Sequence, residues 1–404
     1  MRTRNKEENT YVEEAPLIQL VSQLLLKAHE MGASDVHLEP LQTIFRIRFR
    51  IDGVLQEVQQ LPKKLERAVI SRLKIMTSSM NIAEKRLPQD GRFHFHSGEI
   101  SLDIRAATMP TLHGESMVLR LLNPTSHLLD LSQLGLESGD QLIFKKILQQ
   151  PDGLVLITGP TGSGKTTTLY SCLKELQQSA CKIITVEDPI EYRLHGINQV
   201  QTKEEIGLTF PRVLRAILRQ APNKIIVGEI RDRETAQIAM NASLTGHLIL
   251  STLHANDAPS AIARLADMEI APFLIASGLR AIIAQRLVRR LCFYCKEPTV
   301  LSEYEKKALQ LDEKIFAVMK AVGCSKCHGK GFRGRLGIFE ILLIDGKFRH
   351  LIHQQAPTSE LRNYARGEGM HSLREDGLRK MEAGLTTAQE VISSALIGES
   401  DKAI

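Results

Sequence analysis

The spacing of apolar residues changes several times along the chain, and each change predicts a different element. From Leu17, the residues Ile18, Val21, Leu24, Leu25 and Ala28 recur at helical spacing until Gly32, which predicts a helix. Phe45, Ile47, Phe49 and Ile51 then alternate with Arg46, Arg48 and Arg50, and Asp52-Gly53 supplies a two-residue turn. That is a β-hairpin with one face buried and three arginines on the other. A second hairpin is expected around Phe93, Phe95 and the Ser97-Gly98 turn, with the α+β pattern continuing through Arg105, Gly114 and Arg120. The polar residues 1–15 are expected to form a flexible lead. A first domain is expected over 16–136, before a helix that begins about Gly139.

Beyond it, the short apolar runs Leu154 to Thr158, Ile183 to Val186, Ile225 to Val227 and Leu248 to Leu253 alternate with helical patterns. Runs buried on both faces and separated by helices imply a mainly parallel α/β sheet, expected over 137–285. Cysteines cluster over 286–335, and 336–404 reads as helical, broken at Gly367, Gly369 and Gly384. A length of 404 residues accommodates two such domains and a small module.

Composition narrows the class. With 43% hydrophobic and 24% charged residues and no low-complexity tract, the chain reads as a folded, soluble protein. The formal charge of +6 is small for this length and is not gathered in a tail, so nucleic acid is not favoured as a partner. The longest apolar stretch, Met268 to Val288, is interrupted by Glu269, Arg280, Gln285 and Arg286, and no apolar signal region follows the start. A cytoplasmic location is expected.

The strongest chemical signal is Gly159-Pro160-Thr161-Gly162-Ser163-Gly164-Lys165-Thr166, a full match to the phosphate loop G-x-x-x-x-G-K-[ST], followed by Thr167. An apolar strand precedes it, and the helix after it has Leu169, Cys172, Leu173 and Leu176 as its inner face. Backbone N–H groups curl around phosphates in such a loop. Lys165 meets the β and γ oxygens, and Thr166 ligates Mg²⁺. Two acidic segments end apolar strands: Glu187-Asp188-Pro189-Ile190-Glu191 and Gly228-Glu229-Ile230-Arg231-Asp232. Glu229 is placed to hold the metal's water shell or polarise water, and Glu187 to orient water, with Asp188 or Glu191 assisting. One of these carboxylates is expected to be structural. His247 and His254 bracket the run 248–253 on opposite faces, and a γ-phosphate contact is the sharp reading for one of them. Arg105 and Arg120, in the first domain, are either surface arginines or cations delivered to the γ-phosphate.

Cys292-Phe-Tyr-Cys295 and Cys324-Ser-Lys-Cys327 form a doubled C-x-x-C, which reads as tetrahedral structural zinc with no position open for water. Cys172 and Cys181 fall outside that pattern and are expected in the core.

Taken in order, these segments resemble the secretion ATPase superfamily, in its type II secretion and type IV pilus assembly branch, over about Ile18 to Leu396. The resemblance implies a PAS-like α+β domain, a RecA-like P-loop NTPase domain with a zinc module, and a helical tail, assembled as a hexameric ring. It implies ATP, Mg²⁺ and Zn²⁺ as cofactors and nucleotide held between the two domains. Arg105 and Arg120 would reach that nucleotide, Glu187 and Glu229 would be the acidic pair of hydrolysis, and His247 or His254 would lie near the γ-phosphate. The implied partners are further copies of the chain, an inner-membrane platform protein and a membrane-anchored protein with a cytoplasmic domain. These would hold the chain peripherally at the inner membrane. The four cysteines favour assembly or secretion over retraction.

Two departures stand out. The usual further N-terminal docking domain has no room here, as in a naturally short or a trimmed member. Arg219-Gln220-Ala221-Pro222-Asn223 replaces an Asp-Pro-Asp pattern, and weaker arginine pairing with slower turnover is expected from it. Two rival readings remain: a nucleotide-regulated DNA-binding or DNA-uptake protein, which DNA-stimulated ATPase would mark, and a scaffold that binds ATP with little hydrolysis.

Overall fold

The computed structural model describes residues 4–122, 129–177, 181–311 and 317–395. They form two compact units that divide between residues 127 and 128. Among the described residues no helix is long and apolar enough to cross a membrane.

In the first unit, α1 (Arg4–Glu30) leads into β1 (Ala33–Pro40), β2 (Ile44–Ile51) and β3 (Val54–Pro62). Helix α2 (Glu66–Thr77) precedes β4 (Gln89–Ser97), β5 (Ile100–Thr111) and β6 (Gly114–Leu122). The strands form one antiparallel sheet in the order β3-β2-β1-β6-β5-β4. Both expected hairpins are present. On one face Leu38, Phe45, Ile47, Phe49, Leu102 and Leu119 are fully buried beneath Leu25 of α1 and Leu73 of α2. Each such side chain contributes roughly 1.5–3 kcal/mol by burial. The other face is polar, because side chains alternate along every strand. Register carries one row across it, through Arg92, Arg105, Arg120, Asp35 and Arg50. The lead expected at 1–15 is helical from Arg4 onward, continuous with the amphipathic turns after Leu17.

The second unit is a three-layer α/β/α body. Its central strands are β7 (Gly153–Thr158), β8 (Ile183–Glu187), β9 (Asn198–Gln201), β10 (Lys224–Val227), β11 (Leu248–Leu253) and β12 (Leu279–Leu291). Between them run α3 (Ser138–Leu148, ahead of β7), α4 (Lys165–Leu176), α5 (Phe210–Ile217), α6 (Arg233–Leu244), α7 (Ala258–Asp267) and α8 (Pro272–Gly278). Later come β13 (Glu297–Val300), α9 (Glu303–Ala308), β14 (Ala317–Lys320) and β15 (Phe332–Leu343). The chain then runs through α10 (Gly346–His353), α11 (Thr358–Gly367), α12 (Leu373–Glu382) and α13 (Ala388–Ala395).

The main sheet has the order β15-β12-β7-β11-β10-β8-β9 and is parallel except for β15. Alternation assigns its side chains to two cores. Leu154, Leu156, Ile225 and Ile249 face α6 and α7, whereas Val155, Ile157, Ile226 and Leu250 face α3 and α4.

Three expected boundaries shift. Leu131, Leu134 and Leu136 pack with Phe144 and Phe339, and the Gly337 N–H donates to the Leu134 carbonyl at 2.8 Å, so this segment belongs to the second unit and not to a first domain ending at 136. Residues 286–291 and 332–343 are strands of the main sheet, not part of a cysteine module or a helical tail. The module therefore shrinks to the segment between β12 and β15, where β13 and β14 form their own antiparallel pair.

Candidate nucleotide site and cysteine cluster

The phosphate loop runs from the end of β7 into the first turn of α4, at the carboxyl edge of the parallel strands, where ligands bind in such sheets. Its backbone requires glycine. Gly159 has φ 148 and Gly164 φ 88, and a Cβ at Gly159 would stand 2.4 Å from the Gln285 carbonyl oxygen. Lys165 is buried, and its Nζ donates to the carbonyls of Gly159 at 2.7 Å and Pro160 at 3.0 Å. Burial pulls its pKa down to about 8, Glu229 pulling the other way and the Arg286 charge adding to the fall. A cation held on its own loop's carbonyls at a helix N-terminus fits an incoming polyphosphate, which relieves that desolvation. Thr161, Thr166 and Thr167 are exposed around it and Ser163 is buried.

Glu229 lies two residues past the end of β10, with Arg231 pairing to it at 2.6 Å. The turn is tied to β11, because Thr252 donates its hydroxyl to the Gly228 carbonyl at 2.8 Å and the Ile230 N–H donates to the Thr252 carbonyl at 2.9 Å. His254 follows β11 directly. Burial and then the Lys165 charge lower its pKa, with Glu229 opposing, so the imidazole is neutral near pH 7. Lys165, Glu229 and His254 thus converge at one edge of the sheet, which is the arrangement for holding a nucleotide's terminal phosphate and a hydrated metal.

Glu187 does not join them as a water-activating base. Its side chain is 4% exposed and its oxygens are occupied: Tyr170 donates its hydroxyl to one, and Thr185 (2.5 Å) and Gln199 (3.1 Å) donate to the other. Burial, then the bond to Glu187, push the Tyr170 hydroxyl far up its range. The same hydroxyl accepts the N–H groups of Glu191 (3.2 Å) and Tyr192 (3.3 Å). Glu187 therefore anchors the acidic segment. Asp188, exposed, and Glu191, half-buried, are its accessible carboxylates.

His247 is also not brought to the site. It precedes β11 at the amino edge of the sheet, where its carbonyl accepts the Gly153 N–H at 3.1 Å and its Nδ1 lies 3.2 Å from the Ala242 carbonyl. Six residues of strand separate it from His254, roughly 20 Å at 3.3 Å per residue. The departure at Ala221 and Asn223 lies at that same amino edge. Asn223 Oδ1 accepts the Lys182 N–H at 2.8 Å, and Lys224 opens β10. The expected loss of arginine pairing beside the metal therefore has no structural basis. Arg105 and Arg120 are register neighbours in the first unit, where an open pocket of about 620 Å³ is lined by Arg92, Arg105, Arg120 and Asp90. Arg120 donates to Asp35 at 3.0 Å.

The cysteines converge as expected. The Sγ atoms of Cys292, Cys295, Cys324 and Cys327 lie within 4.8 Å of one another, with separations of 3.9 Å (292–324), 3.7 Å (295–327) and 3.8 Å (324–327). Four thiolates about 2.3 Å from a tetrahedral zinc sit about 3.8 Å apart, so the cluster fits one ion. The Gly323 N–H donates to Cys295 Sγ at 3.3 Å, and those of Cys324 and Gly331 donate to Cys327 Sγ at 3.2 Å. Cys172 is fully buried, and Cys181 only half-buried.

Two residues behind the loop escaped the sequence reading. Gln285 is 2% exposed, accepts the Thr168 hydroxyl at 2.6 Å and backs Gly159 and Gly164. Arg286, 6% exposed, stands next to it on β12. Their signal was present as two of the four polar residues that interrupt the long apolar stretch ending at Val288. Tyr170 left none, since an aromatic on a helix's inner face reads as core.

Comparison with known proteins matches residues 10–393 to the family described as "Type II/IV secretion system protein". The type II secretion system ATPase E of Vibrio cholerae serotype O1 is 48% identical over 381 residues, 94% of this chain and 75% of that protein. The type IV pilus assembly ATPase PilB of Myxococcus xanthus is 47% identical over 390 residues, 95% of this chain and 68% of that one. Among solved structures, the pilus retraction motor PilT with bound ADP superposes with a TM-score of 0.62 at 26% identity, over 92% of this chain and 96% of the other. With its phosphate loop, parallel sheet and cysteine cluster in place, this chain belongs to the type II/IV secretion system protein family and is a P-loop ATP hydrolase of its secretion and pilus assembly branch.

Proposed function

We propose that this protein is a hexameric ATPase motor that drives assembly of a type II secretion pseudopilus or a type IV pilus from the cytoplasmic side of the inner membrane. The observation that carries it is the convergence of Glu229 and His254 on Lys165 beside a complete phosphate loop. In this reading Gly159, Pro160, Thr161, Gly162, Ser163, Gly164, Lys165, Thr166 and Thr167 cradle the phosphates, and Mg²⁺, held at Thr166, supplies Lewis acidity there. Glu229 orders the metal's water, Glu191 orients the attacking water, and neutral His254 hydrogen-bonds the γ-phosphate. Arg105 and Arg120 neutralise the charge that develops on the phosphoryl group. Cys292, Cys295, Cys324 and Cys327 hold structural zinc. The platform protein and a membrane-anchored partner recruit the ring.

The DNA-binding alternative is weakened in the first unit. Arg46 and Arg48 share Glu39 at 3.0 and 2.5 Å, and Arg50 and Arg120 share Asp35 at 3.4 and 3.0 Å, so two carboxylates offset about half the charge of these four arginines. Steady-state ATPase rate against protein concentration, with and without a cytoplasmic fragment of the platform protein, tests the motor. A rate that climbs with assembly and vanishes in Glu229→Gln supports it, and a flat, mutation-insensitive rate refutes it.

A further inference from the structure

His254 opens a short strap, Ala255-Asn256-Asp257, that joins β11 to α7; side chains from three elements grip that strap, and one from a fourth holds the residue that follows it. Thr158, at the end of β7, donates its hydroxyl to the Ala255 carbonyl at 3.1 Å. Arg286, on β12, donates to the Asn256 carbonyl at 2.9 Å. Arg362, on α11, pairs with Asp257 at 2.6 Å, while the other Asp257 oxygen caps α7 by accepting the Ser260 N–H at 2.8 Å. Glu340, on β15, accepts the N–H of Ala258, the first residue of α7, at 2.7 Å.

Strand register explains how Glu340 reaches so far. Leu253 is paired with Thr158, Thr158 with Ala284, and Ala284 with Glu340, one row across four strands. Glu340 therefore stands level with the residue before the phosphate loop and the residue before His254. It is 6% exposed. Burial pushes its carboxyl up to about 7; the Ala258 N–H pulls the other way, Asp257 adds to the rise, and Arg362 and Arg366 oppose it. Arg286 also feels its charge. Burying a carboxyl this deeply costs stability, which the hydrogen bond from the Ala258 N–H offsets.

We propose that Glu340, with Arg286 and Arg362, is a positioning set that fixes this strap and thereby aims His254 at the terminal phosphate, making the C-terminal helices a mechanical part of the nucleotide site. The proposal rests on reading the phosphate loop as the site of hydrolysis. None of the three is a catalytic residue in it. Glu340 and Arg362 act through His254, whereas nucleotide affinity is set by the loop and Lys165, whose charge Arg286 also touches.

The test is a double-mutant cycle in the full chain, with kcat, KM for ATP and binding of a fluorescent ATP analogue measured for E340A, H254A and the pair. E340A is expected to lower kcat roughly ten-fold, the scale set by losing one buried hydrogen-bond partner, with KM and analogue binding within about two-fold. E340Q, which keeps an acceptor oxygen, is expected to recover most of the rate. In the H254A background E340A should cost nothing further. Wild-type kcat in E340A, or losses that multiply in the pair, would overturn the proposal. Should E340A fail to fold, Asp257→Asn, which keeps the cap but ends the ion pair with Arg362, must show the same kcat-only loss and the same non-additivity, or the proposal falls. A wild-type chain that binds the analogue but does not hydrolyse ATP would instead refute the underlying reading before any variant is compared.

Discussion

Replacing Glu187 by glutamine separates an anchoring carboxylate from a catalytic one. Three donors converge on Glu187, from Tyr170, Thr185 and Gln199. A hydrogen bond to a charged acceptor contributes about 1.5–3 kcal/mol and a neutral one about 1 kcal/mol, so making two of these bonds neutral and losing the third costs at least about 2.5 kcal/mol. In a unit of this size that lowers Tm by at least about 5 °C. The nucleotide edge keeps Lys165, Glu229 and His254, and the Tyr170 hydroxyl still accepts the Glu191 and Tyr192 N–H groups that hold the acidic segment, so kcat should stay within about three-fold of wild type. Glu191→Gln should instead lower kcat about a hundred-fold, the range for a lost general base. Thermal unfolding and steady-state ATPase on both variants decide it. A Glu187→Gln protein with wild-type Tm and a hundred-fold lower kcat would refute the reasoning and return the base to Glu187.

Three further outcomes follow from the site. Gly159→Ala should weaken binding of a fluorescent ATP analogue at least about ten-fold, because a Cβ would meet the Gln285 backbone at 2.4 Å in a backbone conformation that L-residues avoid; undiminished binding would contradict the geometry. Analogue affinity should fall as pH rises through about 8, since Lys165 is protonated and attractive below its lowered pKa and neutral above it; Lys165→Arg, which stays charged, should flatten that profile, and a slope that persists assigns the titration elsewhere. Metal analysis should find one zinc per chain, lost in Cys327→Ser together with a fall in Tm of several degrees; a full complement of zinc in that variant would exclude the four-thiolate site.

Features with a local cause were legible in the sequence. A phosphate loop is contiguous, its glycines answer to backbone geometry, and the strand and helix around it carry their own periodicity. The doubled C-x-x-C is likewise local in each half, and only the closing of its two turns to 3.7–3.9 Å needed the fold. The α/β class followed from strands buried on both faces, and the first unit from alternation around Phe45 to Ile51.

Tertiary structure decided what depends on which end of a strand, and which side of a sheet, a residue occupies. His247 and His254 look equivalent in sequence, yet a parallel sheet binds ligands at one edge only, and six strand residues put His247 at the other. Glu187 and Glu191 sit four residues apart in one acidic segment, but β8 carries the first into the core against Tyr170 and leaves the second half-buried beyond it. Gln285, Arg286 and Glu340 acquire their roles because β12 and β15 lie beside β7, a long-range pairing set by packing of whole strands rather than by any local pattern.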